Sequence, residues 1–114
     1  MTLIYKILAR PEWEAAEAAG AFAGSAVDLA DGFIHFSAAD QAQATAAKWF
    51  AGQADLLLLG VEAEGLGDAL RWEVSRGGDL FPHLYRPLLP SEVLSRTAVD
   101  LDDQGVPQLG SLPA

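Results

Sequence analysis

Only two histidines occur in the chain, and each stands in a segment rich in aromatic residues beside a chain reversal or break. The first lies in Asp31-Gly32-Phe33-Ile34-His35-Phe36-Ser37. In an extended strand alternate side chains share a face, so Phe33, His35 and Ser37 should point one way and Ile34 and Phe36 the other. An imidazole and a hydroxyl would then sit where a strand gives way to a helix. Free backbone N–H groups and a partial positive charge at such a junction suit a phosphate or carboxylate. The plainer alternative is a half-buried histidine and a serine that merely caps the helix. Apolar neighbours on both sides of His35 make an unpartnered imidazole costly there, so it should be partly buried and hydrogen-bonded.

The second group is Arg71-Trp72-Glu73, in which Arg71 and Glu73 share a strand face. A carboxylate beside a guanidinium is most often a structural ion pair. It can also be a carboxylate kept ionised to meet a ribose hydroxyl or to orient a nucleophile. The third is Phe81-Pro82-His83-Leu84-Tyr85, where Phe81, His83 and Tyr85 fall on one side if the segment is extended. If these segments meet, His35, Ser37 and Phe81 to Tyr85 line one cleft, with Lys6 or Arg71 supplying positive charge.

Several other chemistries fail on inventory. There is no cysteine, which removes disulfides, thiolate metal sites and cysteine nucleophiles together. Neither histidine lies in an H-E-x-x-H spacing, so no metal is expected. Phosphate-loop, dinucleotide-fingerprint and nucleophile-elbow patterns are missing. A triad of Ser37, His35 and Asp31 is ruled against by geometry, because neighbours on one strand do not reach the in-line arrangement.

The elements that must position these residues follow from periodicity and punctuation. Leu3 to Leu8 predicts a strand, and Pro11 opens a helix of good formers that Gly20 stops. Asp28 to Gly32 has the composition of a turn. Phe33 to Phe36 predicts a short strand ending in Ser37, which with Asp40 resembles a capping box for a helix of about three turns from Ala38. Asp55 to Ala63 predicts a central strand, Gly65 and Gly67 a loop, and Leu70 to Val74 a further strand. Ser75 to Asp79 is a turn by composition. Leu80 to Tyr85, interrupted by Pro82, belongs at a sheet edge or an irregular end. Glu92 to Leu101 predicts a strand, though without a clear period. Residues 1–114 form a single domain in this reading, with residues 102–114 a loosely structured tail. The fold class is α+β, with a curved mixed or antiparallel β core and two early helices.

Composition bounds the partners. The net charge of −9, from 16 acidic and 7 basic residues, repels a phosphate backbone on average. Arg71, Arg76 and Arg86 leave room for a local basic patch. Bulk nucleic acid and membranes are therefore not expected partners. The start of the chain has no apolar run of signal-peptide length and no segment approaches a membrane span, so a cytoplasmic location is expected.

Taken together, Leu3-Ile4-Tyr5-Lys6-Ile7, the stretch from Asp28 to Ser37, Arg71-Trp72-Glu73 and Phe81 to Tyr85 resemble a small bacterial family known as domain of unknown function 952. The likeness runs over nearly the whole chain in order and spacing. The family has been grouped on fold with ADP-ribosyltransferases, and its I-H-x-S segment is similar to the H-x-S segment of RNA 2′-phosphotransferases. The resemblance thus implies an ADP-ribosyltransferase-like fold with a cleft that accepts NAD, as a substrate and without a metal. It implies catalytic roles for His35, Ser37 and Glu73, and ligand contacts from Tyr5, Lys6, Arg71, His83 and Tyr85. Lys6 departs from the family pattern, since relatives often carry histidine after the tyrosine, and a lysine does not copy imidazole geometry. The activity implied is transfer or removal of an ADP-ribosyl group. The alternatives are a non-catalytic domain binding a nucleotide-like or acidic metabolite, and a protein-interaction module using the edge at Phe81 to Tyr85.

Overall fold

A computed structural model describes residues 1–114, with the side chain of Arg76 lying outside the described residues. Of the expected basic patch, the Arg76 side chain is therefore not placed.

Every strand pairing is antiparallel, which removes the mixed sheet from the expected alternatives. The long strand β1 (Leu3–Ala9) leads into helix α1 (Arg10–Ala19), with Pro11 in its first turn and left-handed Gly20 closing it. Helix α2 (Ala26–Asp31) precedes two short strands, β2 (Ile34–His35) and β3 (Ser37–Ala38), and helix α3 (Ala39–Trp49). Strands β4 (Leu56–Glu62), β5 (Leu70–Val74), β6 (Leu80–Leu84), β7 (Val93–Leu101) and β8 (Pro107–Gln108) complete the chain. They form a five-stranded sheet in the order β3-β1-β4-β7-β8 and a three-stranded sheet in the order β2-β6-β5.

The uninterrupted apolar run of β4 is explained by its central place, buried on both faces. On one face Ile4, Leu8, Leu59 and Val61 pack with Trp13 of α1, Phe22, and Ile34 and Leu84 of the small sheet. On the other, Tyr5, Ile7, Leu56 and Leu58 meet Ala42 and Ala46 of α3. Lys6 alternates with Ile4 and Leu8, so its side chain starts towards the small sheet and away from water. No helix among the described residues is long and apolar enough to cross a membrane.

Five local expectations are corrected. Asp28 to Gly32 is not a turn but most of α2, because Ser25 and Asp28 stand at capping-box spacing and the Asp28 carboxylate accepts from the Ser25 N–H at 2.8 Å. Ser37 does not cap α3. Its hydroxyl donates to Thr45 Oγ1, and Gln41 Oε1 accepts from the Ala38 N–H. Pro82 lies in the middle strand of the small sheet, not at an edge. Its carbonyl accepts from the Phe36 N–H just beyond the end of β2, so the missing N–H falls where no ladder continues. The glycine loop at Gly65 and Gly67 is wound into 3₁₀ turns. Residues 102–114, expected as a loose tail, carry β8, and the Tyr5 hydroxyl donates to the Pro113 carbonyl at 2.5 Å.

Candidate functional site

The small sheet places His35 directly opposite His83, and His83 directly opposite Arg71. Cross-strand partners share a face, so all three side chains emerge together. Glu73, two residues from Arg71, and Tyr85, two from His83, join them by the same alternation. The imidazole rings of His35 and His83 lie 5.5 Å apart between centroids. Phe33 fills the space around them, stacked on His83 at 4.1 Å and within 4.6 Å of His35 and 5.3 Å of Tyr85. The Arg71 guanidinium lies over the Tyr85 ring at 5.0 Å.

Beneath this row runs a chain of charges. Lys6 Nζ donates to both Asp28 oxygens, at 2.8 and 3.1 Å. The same carboxylate takes the His35 backbone N–H at 3.1 Å and stands 2.6 Å from His35 Nδ1. Asp28 is 1% exposed and Lys6 6%. Burial alone would raise the Asp28 pKa, but the His35 hydrogen bond, the Lys6 charge and the Ser25 N–H outweigh it and hold it at about 2. Burial lowers Lys6, with Asp28 working against that shift. Gly24, at φ +125°, makes room for this carboxylate, since a Cβ there would stand 2.8 Å from Asp28 Cβ.

An ionised Asp28 requires the hydrogen on His35 Nδ1, which fixes the ring and turns Nε2 outward. Nε2 meets Asp31 Oδ2 at 3.0 Å, a contact with a half-exposed side chain that a ligand using Nε2 must displace. His83 is oriented in the same way: Nδ1 lies 2.8 Å from Glu73 Oε1, which also accepts from the Tyr85 hydroxyl at 2.6 Å. Hydrogen bonds from Tyr85 and His83 lower the Glu73 pKa, and donating to Glu73 raises that of Tyr85. The face thus offers one outward imidazole nitrogen, one ionised carboxylate and aromatic rings. A cavity of about 220 Å³ opens beside it, lined by Asp28, Leu29, Phe33, Tyr85 and Arg86 among others.

His35, Arg71, Glu73, His83 and Tyr85 are therefore brought together, and Lys6 joins them only through Asp28. Ser37 and Tyr5 are not part of the group. Both lie in the five-stranded sheet, at 5% exposure, as register partners of each other. The chain changes sheets at Phe36, so the alternation that links Phe33 and His35 does not extend to Ser37. Asp28, the most connected residue of the site, escaped the sequence reading. Its visible signal was Ser25 three positions earlier, which marks a helix start rather than a turn. Among the described residues no cluster of histidine and carboxylate side chains could hold a metal ion.

One prediction arises directly from Asp28. Its carboxyl titrates lower in the fold than its ordinary value of 3.8, so the stability it contributes is fully present above that value. That stability, about 2 kcal/mol, should be lost as pH falls from 3.8 towards 2. Thermal melts between pH 5 and pH 2 test this, with Asp28→Asn as the reference. The variant should lose less stability across that window than the native chain, and parallel curves would place the acid sensitivity elsewhere.

Comparison with known proteins agrees with the geometry of the fold. The crystal structure of protein CC0527 from Caulobacter crescentus is 71% identical, with 94% of each chain covered and a TM-score of 0.93. Its solution NMR structure is matched at 72% identity, covering 96% of this chain and 95% of that one, with a TM-score of 0.87. No curated protein matches the chain. The model of the family described as protein of unknown function (DUF952) matches residues 7–96, most of the chain and all of the residues just described except Tyr5 and Lys6. The chain belongs to the DUF952 family.

Proposed function

We propose that the face formed by His35, Glu73, His83 and Tyr85 binds NAD or an ADP-ribosylated or phosphorylated nucleotide and transfers or removes the ADP-ribosyl group. The observation that carries this reading is the pairing of two carboxylate-anchored imidazoles with an ionised Glu73 on one aromatic-lined face. Phe33 and Tyr85 supply flat surfaces for a nicotinamide or adenine ring. Arg71, exposed at the rim, supplies charge for a pyrophosphate. In the reaction the bond from ribose C1′ to nicotinamide nitrogen breaks, and nicotinamide leaves with the bonding pair. Glu73 faces the positive charge that develops on the ribose. His35 Nε2 takes the proton of the water or acceptor hydroxyl that bonds to C1′. Lys6 serves as a positioning residue in this scheme, holding Asp28 ionised rather than touching the ligand.

A second reading is a non-catalytic binding domain for a similar ligand. It is favoured by the burial of His83, whose side chain is 6% exposed beneath Phe33. Titration with NAD, ADP-ribose, nicotinamide and inorganic phosphate, followed by backbone and imidazole NMR shifts, separates the two. Binding of NAD or ADP-ribose in the micromolar to low-millimolar range should move Phe33, His35 and Tyr85 signals, with nicotinamide released from NAD. Shifts without release support the binding domain alone. No shift at several millimolar of any of the four ligands would sink both readings.

A further inference from the structure

The outer side of β5 is a bare sheet edge. Tyr85 donates to the Ala69 carbonyl and Ser75 to the Asp79 carbonyl, which fixes the hydrogen-bonded pairs of the β5–β6 ladder. By the alternation of an antiparallel pair, Arg71 and Glu73 turn their backbone groups towards β6, and Trp72, Val74 and the Leu70 carbonyl face outward, the Leu70 N–H being taken by the Gly67 carbonyl. Trp72, Val74 and, on the neighbouring strand, Leu80 are also exposed, at 40%, 69% and 51%. This edge carries neither proline nor lysine, the usual guards against pairing.

The sequence of that edge, Leu70-Arg71-Trp72-Glu73-Val74, reads the same in either direction by residue class. We infer that a second copy of this chain pairs antiparallel along β5, with the two-fold axis through Trp72. In this register Arg71 stands opposite the second copy's Glu73 and Glu73 opposite its Arg71. Both contacts fall at non-hydrogen-bonded positions, where opposed side chains approach most closely. Trp72 meets its own counterpart, and Leu70 meets Val74 on the same face. The backbone groups of Trp72, the Val74 N–H and the Leu70 carbonyl find partners in one step, and the exposed apolar face becomes continuous across the dimer. A one-residue slip would set charge against apolar residues, and a two-residue slip would set Arg71 or Glu73 against its own copy, so complementarity selects this register. An isologous contact of this kind closes as a dimer, which limits further growth. The net charge of −9 opposes association, so the dimer is weak, with a dissociation constant on the order of 100 µM.

The pairing also bears on the site, because the second copy's Arg71 arrives beside Glu73. It does not depend on any ligand or reaction. Sedimentation velocity from about 10 µM to 1 mM reads the association, and amide exchange reads the edge. The native chain should pass from monomer to dimer, with the amides of Trp72 and Val74 exchanging more slowly as concentration rises. Arg71→Glu should weaken the dimer at least tenfold, and the swap Arg71→Glu with Glu73→Arg should restore it. Val74→Pro removes an outward N–H without touching the β6 ladder, so it should give a monomer with an unchanged fold by circular dichroism. A chain that stays monomeric at 1 mM overturns the inference. So does a dimer indifferent to Val74→Pro, or a charge swap that fails to restore pairing while the fold is intact.

Discussion

Replacing Asp28 with asparagine is expected to lower stability by about 3–5 kcal/mol, the usual effect of removing one partner from a buried ion pair. For a domain of this size that corresponds to a fall in Tm of roughly 12–30 °C. The argument rests on what asparagine cannot do. It keeps the shape and can still accept from Ser25, but it offers no charge to Lys6, which is 6% exposed and hydrogen-bonded to both Asp28 oxygens. The ammonium must then lose its proton or draw in water. His35 loses the acceptor that fixes its Nδ1, and the start of α2 loses part of its cap. Lys6→Met made alone should also destabilise, since it leaves a buried carboxylate short of its counter-charge. Combined with Asp28→Asn it should recover a large part of the loss, because no uncompensated charge remains. Urea denaturation of the four chains gives the coupling energy. A loss below 1 kcal/mol for Asp28→Asn would mean that water already reaches this pair.

The same residue marks the boundary of what the sequence makes legible. Strands β1, β4 and β5 and helices α1 and α3 are visible because each carries its own apolar run or period and its own stop signals. The two histidines stand out by their settings, and their cross-strand pairing follows once both strands are placed. Lys6 and Asp28 are 22 positions apart, and no local pattern announces that they meet. The link exists because β1 aims Lys6 at the underside of the small sheet, a fact of layer packing rather than of periodicity. Ser37 fails for a related reason. The alternation rule holds within one strand, and the chain leaves the small sheet for the large one between His35 and Ser37. Pro82 misled through a rule that is sound for long central strands but not beside a neighbour that ends at His35.

Glu73→Gln is the change expected to separate chemistry from binding on the proposed face. Glutamine keeps an oxygen that accepts from the Tyr85 hydroxyl and from His83, so the local network survives. What it lacks is the negative charge that those two donors stabilise on the native side chain. Nicotinamide and ADP-ribose carry no developing charge at C1′ in the ground state, so binding of ADP-ribose should change by less than about threefold. The transition state for loss of nicotinamide does carry positive charge on the ribose. Losing the carboxylate opposite it should slow nicotinamide release from NAD by about 10²–10³-fold, the scale seen when one preorganised electrostatic partner is removed. Tyr85→Phe offers the counterpart. It deletes one donor but leaves Glu73 charged, so its effect on release should be far smaller than that of Glu73→Gln. The comparison needs kcat and Kd measured separately, on chains whose melting curves match. Equal release by the native and Glu73→Gln chains would remove this carboxylate from the reaction. Loss of binding in parallel with release would assign Glu73 to holding the ligand, and with it the face as a whole to recognition rather than turnover.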